Sequence, residues 1–84
     1  EIRVDCDDDI KFKVVKRVKD ILSKEFKVID IDGVRIETEN GWGLLRASNT
    51  QPVIVMRFEA NSEKNLTNIR KKVEDCFVMA KKEQ

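Results

Sequence analysis

Apolar residues recur along this chain in two rhythms, every second residue in some stretches and every third or fourth in others. The opening EIRVD alternates, which predicts a short strand over Ile2 to Asp5. CDDD ends it, and Asp7, Asp8 and Asp9 are expected to cap a helix, because free N–H groups and the macrodipole at a helix start favour carboxylates. Ile10, Val14, Val18, Ile21 and Leu22 follow at helical spacing, so a helix should run to about Lys24 with Lys11, Lys13, Lys16, Arg17 and Lys19 mainly on the wet side.

The next segment, KVIDIDGVRIETENGWGLLRAS, carries the turn signals Asp32-Gly33 and Asn40-Gly41, pairs that tolerate the positive φ of tight hairpins. Three strands are expected near Val28 to Ile31, Val34 to Thr38 and Trp42 to Arg46. VIVMRFEA is apolar on both faces over much of its length and predicts a central strand, with Pro52 at its start where no ladder N–H is lost. Asn61 or Ser62 should cap a second helix whose stripe is Leu66, Ile69, Val73, Cys76, Phe77 and Ala80, and the KKEQ tail should be solvated or frayed. The order βα, then ββββ, then α argues an α+β fold of one domain, a mainly antiparallel sheet of about four to five strands backed by two helices.

A chain of 84 residues can bury one modest core but is too small to enclose a substrate with a complete catalytic apparatus. Its 17 lysines and arginines stand against 16 aspartates and glutamates, so net charge gives no reason to expect a polyanion. Histidine is absent, which removes the commonest general base and metal ligand. Cys6 and Cys76 lack CxxC spacing and read as reduced, buried thiols. No apolar run approaches the length of a membrane span, and the expected location is the cytoplasm.

The stretch GWGLLRASNTQP is unlike loop filler. A phosphate dianion is best held by a guanidinium fork, converging backbone N–H groups and hydroxyls. Arg46 supplies the fork, Ser48, Asn49 and Thr50 supply short polar side chains and adjacent N–H groups, and Asn49 tolerates the left-handed backbone that would turn those groups inward. A polar surface turn whose arginine pairs with a carboxylate fits the same residues.

GWGLLRASNTQPVIVMRFEA, preceded by Asp32-Gly33, closely resembles the C-terminal domain of the α-D-phosphohexomutases, specifically the bacterial phosphomannomutase/phosphoglucomutase branch with its pattern DG…GW.L.R.SNT.P and.RFEA. The resemblance is strong from Asp32 to Ala60 and looser in the flanking helices. It implies a TATA-binding-protein-like α+β domain, the fourth of its enzyme, whose loop binds the substrate's phosphate through Arg46, Ser48, Asn49 and Thr50. It also implies an enzyme that interconverts hexose 1-phosphates and 6-phosphates of mannose and glucose, through a phosphoserine and a bisphosphorylated intermediate. The related phosphoglucosamine mutases usually carry Gly where Asn49 stands. The family's phosphoserine, magnesium and sugar-recognition loops have no match here, so the resemblance assigns catalysis and Mg2+ to three upstream domains. It leaves no catalytic residue, metal or cofactor on this chain, which alone should be inactive. Its expected partners are a hexose phosphate and those domains, not nucleic acid or membrane. A stand-alone nucleic-acid-binding module is the alternative, weakened by near-neutral charge and the lack of a GXXG loop or an aromatic pair on the central strands.

Three further groups read as structural. Arg57 lies five residues past Pro52, roughly 16 Å along a strand at about 3.3 Å per residue, and is expected to pair with Glu59 or Asp30. Asp7 to Asp9 read as caps rather than a metal site, and Trp42 as a residue packed over its hairpin rather than a sugar platform.

Overall fold

The segment VIVMRFEA becomes the longest strand and organises the rest. In the computed structural model, which describes residues 1–84, β1 (Ile2–Asp5) and β4 (Gly41–Ala47) flank β5 (Val53–Ala60). With β2 (Val28–Ile29) and β3 (Val34–Thr38) they form a five-stranded, fully antiparallel sheet in the order β1, β5, β4, β3, β2. Helices α1 (Lys11–Leu22) and α2 (Glu63–Lys82) complete the α+β fold expected from the alternation.

The two faces of the sheet differ because side chains alternate along each strand. The register sets Val34 beside Leu45 and Leu45 beside Met56, and these residues with Ile36 and Ile54 join Val14, Val18, Leu22, Val73, Phe77 and Ala80 in one buried cluster. Each fully buried aliphatic side chain of this kind contributes about 1.5–3 kcal/mol. Gly43 lets α2 pack close, since a Cβ there would stand 3.2 Å from Ile69 and 3.3 Å from Val73. The opposite face carries no helix. Its cross-strand rows read Arg3, Val55, Arg46, then Arg57, Leu44, Arg35, then Glu59, Trp42, Glu37.

Several local expectations need correction. The aspartates do not cap α1: Ile10 occupies the cap position with no side-chain cap bond, and the Asp7 carbonyl accepts the N–H groups of Ile10 and Lys11 at 3.0 and 2.9 Å. The backbone of a tight turn thus takes the place of a carboxylate. The helix stops at Leu22, where the Ser23 hydroxyl donates to the Lys19 carbonyl at 2.6 Å. Strand β2 is only two residues long, because Asp30 turns to an ion pair with Lys19 and Ile31 projects into solvent. The β3–β4 turn is Glu39-Asn40, one residue earlier than the Asn-Gly signal suggested, and both keep negative φ. The Thr38 hydroxyl braces it, accepting from Asn40 N–H and donating to the Gly41 carbonyl, each at 3.1 Å. Gly41 is needed instead as the first residue of β4, where a Cβ would lie 2.1 Å from the Glu59 carbonyl.

Ser62 does cap α2, its hydroxyl accepting from Asn65 N–H at 3.1 Å. The helix continues through Lys81 and Lys82, part of the tail expected to fray; cations suit a helix C-terminus. Cys6 and Cys76 are both free and buried in the core, as expected. No helix is long and apolar enough to cross a membrane.

Candidate functional site

The β4–β5 connection brings Arg46, Ser48, Asn49 and Thr50 to one end of the sheet. Arg46 lies opposite Val55 on the open face, half-buried, and takes part in none of the chain's ion pairs. Beyond it the Ser48 N–H donates to the Val53 carbonyl at 3.0 Å and closes the two strands, so that residues 49–52 project as a short loop. Asn49 and Thr50 are exposed at its tip.

Inside the loop the structure departs from expectation. Asn49 does not take a left-handed backbone, for no residue other than glycine has positive φ. Ser48 makes the bend: its nearly buried hydroxyl oxygen accepts the N–H groups of Thr50 and Gln51 at 3.3 and 3.2 Å. Serine hydroxyls commonly substitute for a backbone turn in this way. Those two N–H groups therefore point inward. The donors left for a ligand are the Arg46 guanidinium, the Ser48 hydroxyl hydrogen, the Asn49 side chain and N–H, and the Thr50 hydroxyl.

The second half of the loop is fastened to the N-terminal part of the chain. The Arg3 guanidinium donates to the Gln51 side-chain oxygen at 2.8 Å, and the Cys6 N–H to the Pro52 carbonyl at 2.8 Å. The ammonium of Lys11 donates to the Gln51 carbonyl at 3.1 Å. Lys11 is only 4% exposed, contrary to its expected place on the wet side of α1. The signal was present in its spacing, since Lys11 falls on the stripe Lys11, Val14, Val18, Leu22, and all four are buried.

Arg57 is a diagonal cross-strand neighbour of Arg46, within reach of a long side chain, rather than remote from it. It is exposed and pairs with neither Glu59 nor Asp30, whose partner is Lys19. The distance along β5 counts from Pro52, whereas the hairpin sets Arg57 diagonally across from Arg46, on the side away from the loop. Trp42 has the Arg35 guanidinium 4.4 Å from its ring centre and lines the concavity at the far end of the sheet. Arg35 also reaches Glu37 at 3.3 Å.

The largest concavity, about 480 Å3, lies at the far end of the sheet and is lined by Glu37, Glu39 and Glu59 among others, a poor setting for an anion. No concavity encloses Arg46 or residues 48–51. Nowhere do three or more His, Cys, Asp or Glu side chains converge as metal ligands. Two thiols are perturbed: burial pushes both Cys6 and Cys76 upward.

Residues 1–75 match the family model described as "Phosphoglucomutase/phosphomannomutase, C-terminal domain". A curated relative, the phosphomannomutase/phosphoglucomutase of Pseudomonas putida, is 46% identical over 71 residues, which is 83% of this chain and 15% of the relative. A probable phosphoglucosamine mutase of Pyrococcus horikoshii is 34% identical over 87% of this chain and 17% of the relative. Among solved structures, a phosphoglucomutase/phosphomannomutase family protein from Burkholderia thailandensis superposes with a TM-score of 0.77 at 31% identity, covering 96% of this chain and 17% of the other. This chain thus spans about a sixth of the proteins it matches. Sequence and fold agree, and the chain belongs to the phosphoglucomutase/phosphomannomutase C-terminal domain family.

Proposed function

We propose that this chain is the substrate phosphate-binding domain of a phosphohexomutase that acts in the cytoplasm on glucose or mannose phosphates. One observation carries the reading: Arg46, free of any carboxylate, stands beside a loop whose Ser48, Asn49 and Thr50 offer hydrogen-bond donors in the same place. A planar guanidinium binds a phosphate at two points, and neutral donors around it add specificity without competing negative charge.

In the reaction implied by the family, an enzyme phosphoserine gives its phosphoryl group to the free sugar hydroxyl. The P–O bond to serine breaks, a P–O bond to the sugar forms, and the hydroxyl proton leaves to a base. The bisphosphate then turns, and its other phosphoryl group returns to serine. Throughout, Arg46 and the loop would hold the phosphate that is not being transferred. Those transfers and their Mg2+ belong in this reading to other domains, where the resemblance places the phosphoserine and magnesium loops. An open loop with no enclosing cavity fits a domain that grips substrate only when it closes against its neighbours.

Titration of the isotopically labelled chain with glucose 1-phosphate, followed by NMR, tests this. Shifts should centre on Arg46, Ser48, Asn49 and Thr50, with weak affinity. Shifts centred elsewhere, or sub-micromolar binding by this chain alone, would contradict it.

A further inference from the structure

We infer that Lys11 is a positioning residue for the phosphate loop: it holds the loop's second half in place from α1, so that Asn49 and Thr50 meet the phosphate already ordered. The inference rests on reading Ser48 to Thr50 as the phosphate loop.

A lysine is almost never buried without a specific partner, because an ammonium loses its hydration there. Lys11 has two oxygen partners, the Gln51 carbonyl at 3.1 Å and the Asp8 carboxylate at 2.8 Å, and its ammonium also lies 5.3 Å from the ring centre of Phe12, itself largely exposed. Asp8 does not account for the burial. Its side chain is 68% exposed while that of Lys11 is 5% exposed, and an i,i+3 pair of this kind can form at the surface. The second partner, the loop backbone, draws the ammonium inward along the apolar stripe of α1. The Gln51 carbonyl also accepts the Val53 N–H at 2.8 Å, and the Gln51 side chain is held by Arg3 at 2.8 Å. With the Cys6 N–H on the Pro52 carbonyl, residues 51 and 52 have three ties to the N-terminal part of the chain.

No such tie reaches Asn49 or Thr50. The loop is therefore divided into an anchored half and a half free to meet a ligand. Ordering a loop before the ligand arrives lowers the entropic cost of binding. Lys11 is the one tie that comes from the helix and carries a charge, so its loss should free Gln51 and, through the Ser48 turn, Thr50.

The test uses glucose 1-phosphate with the wild-type chain, Lys11→Met and Arg46→Ala. In folded Lys11→Met the dissociation constant should rise roughly three- to tenfold, about 0.7–1.4 kcal/mol, less than the full worth of a charged hydrogen bond because Lys11 does not itself touch the phosphate, and amide exchange should accelerate at Thr50 and Gln51. Unchanged affinity and exchange in a folded Lys11→Met whose Tm alone has dropped would reduce Lys11 to a stability residue and overturn the inference. Arg46→Ala distinguishes the two readings. If it leaves binding intact, the phosphate loop itself is misplaced; if it weakens binding while Lys11→Met does not, only the role of Lys11 falls. Should Lys11→Met fail to fold, the wild-type Lys11 ε-methylene resonance decides. It should shift with the same dissociation constant as the Asn49 and Thr50 amides, and a resonance unmoved at saturation would contradict the proposal.

Discussion

Gly33 faces Arg46 across the β3–β4 ladder, one residue beyond the Val34–Leu45 pair, and a Cβ on Gly33 would stand 2.6 Å from the Cβ of Arg46 and 2.4 Å from the Leu45 carbonyl. The Asp32-Gly33 turn thus leaves the space into which Arg46 is set. Gly33 also has φ +91°, a conformation costly for other residues. Gly33→Ala should lose about 1–3 kcal/mol of stability from backbone strain, and its folded fraction should bind glucose 1-phosphate more weakly because Arg46 must move. Urea unfolding and titration read the two effects separately. Wild-type affinity in the folded variant would show that Arg46 does not depend on this space.

Ser48→Ala removes the oxygen that accepts two N–H groups in the loop. About 1 kcal/mol of stability should be lost for such hydrogen bonds, with faster amide exchange confined to Thr50 and Gln51. Ser48→Thr keeps the oxygen and should restore both. Exchange rates unchanged by Ser48→Ala would mean that the turn is held by something else.

Arg57→Ala should leave stability within about 0.5 kcal/mol of wild type, as is usual for an exposed side chain without a partner. The sequence suggested an ion pair whose loss would lower the melting temperature. A clear destabilisation in urea would revive that suggestion.

Burial raises the thiol pKa of Cys6 and Cys76, so the native state holds those protons more tightly than the unfolded chain. Their effect on stability is therefore constant below the unfolded thiol value of about 8.5 and turns unfavourable as pH rises from there toward the native values. Both should react with a thiol reagent at pH 8 only as fast as the chain opens, given exposures of 2% and 8%. Rapid labelling of the folded protein would contradict their placement.

The sheet and the two helices were readable because VIVMRFEA is apolar on both faces over much of its length, as a central strand is, and the stripes of α1 and α2 repeat with the helical period. The residues that bear on the loop were less so. Ser48 bends it through bonds from its side chain to the backbone, which spacing does not reveal, and Asn49 consequently never needs the left-handed turn its type suggested. Lys11 looked wet because it is a lysine, although its position placed it among Val14, Val18 and Leu22. Arg57 looked distant because its separation was measured from Pro52 along one strand, while the hairpin sets it diagonally across from Arg46. The family pattern, by contrast, was carried by contiguous residues and needed no tertiary information.

The most direct measurement is kcat/KM for Arg46→Ala and Arg46→Lys in the complete enzyme that carries this domain. Removing a charge-assisted fork should cost about 1.5–3 kcal/mol, a drop of roughly ten- to a hundredfold in kcat/KM for glucose 1-phosphate while the protein stays folded. Arg46→Lys should recover only part of it, because an ammonium keeps the charge without the planar two-point contact. A folded Arg46→Ala enzyme with unchanged kcat/KM would contradict the assignment of phosphate binding to this loop.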